Sequence, residues 1–249
     1  MQAPSTSTPW LDNQGRFFNP AARVQVVAVG PNRPCVVVDD ALANPEGVRA
    51  WAAAQHFLPP AGYPYPGRVC DVPGEMSARI ADFFSQRVRT HLGVRRALEQ
   101  SVRLSVIDTP PEQLAPVQWM CHRDRLADER GDLLFAASVL YLFHDPSLGG
   151  TAFYEPRQSI AATEQLVADS QQLGAHDFGA RYGLQPSYMA DSNAYFERTS
   201  RVPAAWNRLI FYDGSAFHSA EVDPTRLRSD PLQGRLTLNS FITCRRSSR

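Results

Sequence analysis

Beyond residue 99 the chain runs as short apolar or β-branched segments set between turn-formers: SVRLSVIDTPP, PVQWMCH, LLFAASVLYLF, GGTAFYEP, NRLIFYDG and RLTLNSFITC. Strand-length segments repeated in this way, with turn signals between them, predict an all-β sandwich or barrel. Upstream, CVVVDDAL opens with a β-branched run suited to a buried strand. It leads into NPEGVRAWAAAQHF, where Asn44 suits a helix cap, Pro45 the first helical position and Glu46 the first turn. A Pro- and Gly-rich loop, LPPAGYPYPGRVCDVPG, precedes a second helix whose apolar stripe is Met76, Ile80, Phe83, Phe84 and Val88, with Gly93 near its end. Residues 1–20 are polar and Pro-punctuated, which predicts a loosely held arm. The expected organisation is one domain over 1–249, with a helical flank at 36–97 and a β core at 98–249. An insertion at about 155–205 interrupts that core with one helical piece, TEQLVADSQQL, and a polar, aromatic stretch.

Apolar residues make up 43 % of the chain, enough for a sizeable core. The 25 basic residues balance 25 acidic ones, so no global field draws the chain to nucleic acid or an anionic membrane. All 25 basic residues are Arg, which excludes Schiff-base chemistry and a P-loop lysine, and leaves Arg, His or backbone amides to hold any anion. Cys35, Cys70, Cys121 and Cys244 lack CxxC spacing and are expected as reduced, mostly buried thiols. The first fifteen residues carry no charged start and no apolar run. The expectation is a cytoplasmic protein with no membrane partner. Its oligomeric state is not legible in the sequence.

The chemistry concentrates in QWMCHRDRLADERGD, where His122 and Asp124 stand two residues apart. On extended chain two such side chains share a face, so they can reach one point while Arg123 turns away. They would then be two ligands of an open 2-His-1-carboxylate site, the kind that non-haem Fe(II) oxygen chemistry requires. The same string also fits a solvated polar turn. A third ligand must come from His56, His91, His144, His176 or His218. His56 and His91 sit at predicted helix ends, His144 in a turn and His176 in the insertion. His218, in NRLIFYDGSAFHSAEV, follows a strand and a Gly turn and can lie beside the strand end carrying His122.

The ordered set CHRD, SVLYLF, GGTAFY, NRLIFYDGSAFHSAEV and GRLTLNSFIT resembles the core of the Fe(II)/2-oxoglutarate-dependent dioxygenases, especially the prolyl-4-hydroxylase-like branch. The resemblance covers about residues 100–244 and implies a mainly β fold, a double-stranded β-helix (jelly roll) with flanking N-terminal helices. It also implies that His122, Asp124 and His218 bind Fe(II), and that Arg235 grips the distal carboxylate of 2-oxoglutarate in a bidentate fork. Thr237, two residues on, would add a hydroxyl bond, and Tyr141 would line the same pocket. In such enzymes O2 and 2-oxoglutarate are consumed, succinate and CO2 leave, and a C–H bond is usually hydroxylated.

One departure stands out: His218 and Arg235 are 17 residues apart (235 − 218), longer than the family's usual gap, and Arg226 and Arg228 lie between them as rival anchors. Cys121 should point away from the ligands into packing, and Gly149 and Gly150 should make a turn. Substrate choice is expected from PPAGYPYPGR and from the insertion at about 174–201, with Arg181, Tyr182, Tyr188, Tyr195 and Arg198. The substrate would be a small molecule, an amino acid or a peptide segment. GxGxxG, P-loop, HExxH and GxSxG signatures are absent, and Ser215 near His218 has no nucleophile-elbow context. Two other readings remain: a cupin-like metal protein that ignores 2-oxoglutarate, and a non-catalytic β-sandwich binding module.

Overall fold

Antiparallel pairing organises the structure, a computed structural model that describes residues 8–128 and 130–247. Its elements are β1 (Arg23–Ala28), β2 (Pro34–Asp39), α1 (Pro45–Ala53), β3 (Gly67–Asp71), α2 (Gly74–Phe83), β4 (Val94–Ile107), β5 (Leu133–Tyr141), β6 (Thr151–Pro156), α3 (Ile160–Gln172), α4 (Ala175–Tyr182), β7 (Phe196–Val202), β8 (Leu209–Asp213), β9 (Phe217–Ala220) and β10 (Arg235–Arg246). A seven-stranded sheet runs β1-β2-β8-β5-β10-β4-β3, and a three-stranded one runs β7-β6-β9. Among the described residues no helix is long and apolar enough to cross a membrane.

The first helices form where local chemistry directs. Asn44 accepts the Gly47 N–H at 3.1 Å and Pro45 starts α1. After α2 the chain continues as a π-turn over Phe84–Val88, with Arg89 N–H donating to the Phe84 carbonyl at 2.9 Å. Side chains four apart drift around an α-helix, and the wider π-turn keeps both Phe84 and Val88 on the buried face with Met76 and Ile80.

Side-chain alternation gives the large sheet two different faces. One packs Val36, Val38, Leu104, Leu140, Leu236 and Leu238 against Val48 of α1 and Met76 and Ile80 of α2. The other sets Val37, Tyr141, Ile210 and Tyr212 against Phe153 and Val202 of the small sheet. The outer side of the small sheet is covered by α3 and α4, through Leu166 and Phe178 against Tyr154, Phe196 and Phe217.

Four segments differ from the sequence expectation. Residues 1–7 of the expected arm lie outside the described residues, but Trp10 and Phe17 are buried and Phe18 stacks on Phe83 at 4.1 Å, so residues 8–20 are anchored by their aromatics. The loop after α1 contains β3, an edge strand bracketed by Pro66 and Pro73, laddered to β4 and joined on its other side only by a single bridge from Leu58 to Val69 among the described residues. PVQWMCH is a 3-10 turn at Pro116–Gln118 with one bridging residue, His122, because Pro116 fixes the turn before any ladder can start. The polar stretch of the insertion holds α4, and β7 then joins the small sheet.

Candidate metal centre

His122 meets His218 as a single antiparallel bridge beyond β9, each N–H donating to the other's carbonyl at 2.9 Å. Two residues on, Asp124 N–H donates to the Gly214 carbonyl at 2.9 Å, in the turn that leads into β9. The two sequence neighbours therefore face the same way, across from His218. The imidazole centroids are 4.4 Å apart. His122 Nε2 lies 3.7 Å from Asp124 Oδ1, and His218 Nε2 3.5 Å from Asp124 Oδ2. One ligand atom from each of the three residues falls within 4.8 Å of the others. Gly214 makes the approach possible, since a Cβ there would stand 2.9 Å from Asp124 Oδ2 and 3.0 Å from the Phe135 carbonyl.

Three features fit a divalent cation. Asp124 Oδ2 is buried with no hydrogen-bond partner, a state that costs about 1–3 kcal/mol and more for a charged group. His218 Nδ1 is 2.9 Å from the Ala216 carbonyl, so the proton belongs there and the Nε2 lone pair is left facing Asp124. Burial pushes the His218 pKa down to about 4, against the pull of Asp124, which keeps the imidazole neutral and able to ligate. Burial alone would raise the Asp124 carboxyl, but His218 and His122 outweigh it and hold it below its usual range.

The three residues line a cavity of about 940 Å³ that also takes in Arg235. Arg235 is only 6 % exposed and pairs with no carboxylate among the described residues. Its Nε and Nη2 donate to the carbonyls of Gly149 and Gly150, both at 3.0 Å. Those glycines do more than turn the chain. Gly149 has φ +94°, and a Cβ on either would run into a carbonyl, of Glu221 or of Val202. Tyr141 is fully buried with its ring 5.7 Å from the guanidinium, and its hydroxyl is bonded to Thr151 Oγ1 at 2.9 Å. Thr237 Oγ1 faces Ser105 Oγ at 3.3 Å. Neither Thr237 nor Tyr141 reaches the cavity wall, and it is the Tyr141 ring that stands beside the Arg235 guanidinium. Arg226 is exposed and pairs with Asp145 and Asp223, and exposed Arg228 bonds to the Leu227 carbonyl; neither lines the cavity.

The walls come from places the sequence only partly signalled. Tyr63, Tyr65 and Pro66 of the expected loop are there, as is Tyr188. Arg181, Tyr182, Tyr195 and Arg198 are not: Arg181 and Tyr182 hold Asp169, Tyr195 bonds to the Tyr182 carbonyl, and Arg198 pairs with Asp191 and Glu221. Instead α3 supplies Glu164, Val167 and Gln171, with Glu164 bonded to Arg123 at 2.8 Å. Cys121 is buried, its N–H donating to Met189 Sδ at 3.2 Å. Sequence reasoning missed Arg103 and Asn239, which line the cavity from adjacent strands. The signal was the alternation of Arg103 and Ser105 against Leu104 and Val106, polar residues on one face of a strand whose other face is apolar.

A family model described as a family of unknown function, DUF6445, matches residues 20–242. No curated protein matches the sequence. Among solved structures, HygX from Streptomyces hygroscopicus with nickel and 2-oxoglutarate bound is similar at 11 % identity and TM-score 0.48, over 85 % of this chain and 82 % of that one. The epimerase SnoN, in complex with Fe3+, alpha-ketoglutarate and nogalamycin RO, is similar at 12 % identity and TM-score 0.46, over 86 % of this chain and 81 % of that one. An N-substituted L-amino acid dioxygenase from Burkholderia ambifaria is similar at 11 % identity and TM-score 0.35, over 84 % and 81 % of the two chains. With nearly its whole length matched by the family model, the chain belongs to the DUF6445 family.

Proposed function

We propose that this protein is a non-haem Fe(II)/2-oxoglutarate-dependent dioxygenase that hydroxylates a C–H bond of a small molecule. One observation carries the reading. A single cavity joins a convergent His-Asp-His set, with its bare carboxylate oxygen, to a buried arginine that has no carboxylate partner among the described residues. In this reading His122, Asp124 and His218 hold the iron. Arg235, braced by the Gly149 and Gly150 carbonyls, takes the distal carboxylate of 2-oxoglutarate. Tyr141 packs its ring by the guanidinium, and Thr237 spends its hydroxyl on Ser105 rather than on the co-substrate. When bound, iron with 2-oxoglutarate and O2 supplies the oxidising power, and the co-substrate leaves as succinate and CO2.

The chain's own work is to position and to exclude water. Tyr212 and Phe217 bring aromatic surface to the ligands, and the guanidinium meets its anion in a setting where a charge pair is weakly screened. The adjacency β8-β5-β10-β4 facing β7-β6-β9, with His122 bridging at the β9 edge, supports a double-stranded β-helix core. Both sheets share the cavity, which supports reading the chain as one domain. Motif order is nearest the prolyl-4-hydroxylase-like branch, but branch does not bring substrate with it.

The test is anaerobic absorption of metal-free protein titrated with Fe(II) and then with 2-oxoglutarate. The expected result is a weak visible charge-transfer band that requires both additions. Arg235→Gln should need about thirtyfold more 2-oxoglutarate or worse, the effect of truncating a buried charge pair at about 2–5 kcal/mol. A band indifferent to Arg235 would move the carboxylate anchor to another residue, metal retained without a band would favour the cupin-like alternative, and failure to retain metal would leave a binding module.

A further inference from the structure

Arg103 of β4 stands directly across from Asn239 of β10, on the cavity side of the seven-stranded sheet. Its guanidinium carbon lies over two rings, 4.2 Å from the centroid of Tyr63 and 4.5 Å from that of Phe241. Packing against these rings restrains the guanidinium while leaving its N–H groups to recognise something else. Arg103 Nε is buried without a partner, and no carboxylate among the described residues pairs with this charge. Asn239 is complementary. Its Nδ2 donates to Ser105 Oγ, and its Oδ1 is buried with no donor. Two facing residues of the cavity wall therefore hold a cation without a carboxylate and an acceptor without a donor, the orphaned Nε and Oδ1 themselves lying just beneath the surface of the wall.

Arg235 does not share that task. It sits four residues from Asn239 on the same strand, about 13 Å along the backbone at the rise of an extended chain, and its Nε and Nη2 are committed to the carbonyls of Gly149 and Gly150. A cavity of about 940 Å³ is at the upper end of the ~300–1,000 Å³ typical of ligand sites, with room for a second small molecule.

We infer that Arg103 and Asn239 form the recognition subsite for the molecule to be oxidised, a small carboxylic acid with an N–H or O–H donor on the adjoining carbon. The carboxylate takes the free N–H groups of Arg103, and the neighbouring donor satisfies Asn239 Oδ1. α-Amino acids and α-hydroxy acids share this chemistry. A phosphate dianion would place two charges on one arginine and leave the acceptor unmet, while a neutral sugar would leave the arginine bare. That the bound acid is the one oxidised rests on the dioxygenase reading; the subsite itself does not.

Ligand-observed saturation-transfer NMR on the full chain tests it. The probes are the proteinogenic L-α-amino acids, their 2-hydroxy counterparts and the primary amides of both. At least one acid should bind while its amide does not, and the amine or hydroxyl series that binds identifies the donor. Arg103→Gln should weaken that acid about tenfold or more, the loss expected of a charge-assisted hydrogen bond. Tyr63→Leu, on a loop outside the strand ladder, should weaken it in the same direction. Arg235→Gln should leave the acid's affinity unchanged while weakening 2-oxoglutarate.

Four outcomes overturn the subsite: no probe binds; amides bind as well as acids; Arg103→Gln melts normally and binds the acid undiminished; or 2-oxoglutarate alone responds to Arg103→Gln. Acid binding that survives when Fe(II) and 2-oxoglutarate give no band would sink the dioxygenase reading and leave the subsite standing. The band without acid binding would do the reverse.

Discussion

The two faces of the seven-stranded sheet share one backbone ladder and follow opposite rules. Along β10, Leu236, Leu238 and Ile242 enter the helix-covered layer, while Arg235, Thr237 and Asn239 face the cavity side. Of the six side-chain atoms buried without a partner among the described residues, three stand around the cavity, on Arg103 and Asn239 of the sheet and on Asp124 across from it, while Gln100 Oε1 lies on the helix-covered side, where its Nε2 donates to the Ser77 carbonyl of α2. Unsatisfied polar groups are destabilising wherever they are buried. Half of them gather around the cavity, which teaches that the apolar face supplies the stability that lets the cavity side remain strained and available. The two faces should therefore respond in opposite ways to substitution.

The largest effect is expected at the ligands. Asp124→Ala should lower metal affinity by more than about a hundredfold, since even groups that only orient a ligand cost about 10–100-fold. Equilibrium dialysis measures this. The melting temperature of the metal-free protein should hold or rise, because a bare buried carboxylate has gone; a fall would break the comparison. Leu238→Ala, at 2 % exposure in the helix-covered layer, should do the opposite. Urea unfolding should show a loss of about 2–5 kcal/mol, with metal affinity of the folded protein intact. Gly149→Ala lies between these. At φ +94° with its Cβ against the Glu221 carbonyl, it should cost about 1–3 kcal/mol of strain. The same change should raise the 2-oxoglutarate needed, because the Gly149 carbonyl braces Arg235.

Much of this was legible because it is local. Asn44-Pro45 announces α1, and the β-branched runs announce β2, β5, β8 and β10 as strands. The candidate site was legible in part. His122-x-Asp124 is a two-residue pattern, but its meeting with His218 depends on a bridge across 96 residues (218 − 122), which no spacing encodes. Arg235 was legible as the basic residue of a motif, whereas its brace on Gly149 and Gly150 is a tertiary contact. Arg103 was missed because a polar residue in a strand reads as solvent-facing until the sheet that covers it is known. For α4 and β3 the reasons differ. A short helix with a glycine at its centre, and an edge strand between prolines, are decided by packing rather than by propensity.

The smallest effect tests the exception on the apolar face. Ser138 and Ser240 pair across β5 and β10, with their hydroxyls 2.6 Å apart and Ser240 N–H also reaching Ser138 Oγ at 3.2 Å. Ser138 borders a void of about 10 Å³ with Phe17, Ile80, Leu140 and Leu238, at the lower limit for admitting a water. Apart from the serine its lining is apolar, so a water there would lack polar partners, and Ser138→Ala should cost about 1–3 kcal/mol by stranding the Ser240 hydroxyl. Adding Ser240→Ala should recover part of that loss, because removing both partners leaves nothing unsatisfied between the side chains. A double-mutant cycle by urea unfolding should give a coupling of at least about 0.5 kcal/mol. If the single change costs nothing, the apolar face tolerates a bare hydroxyl as readily as the cavity tolerates Asn239 Oδ1. The faces would then differ in composition alone, and the orphaned groups would lose their meaning as a mark of the site.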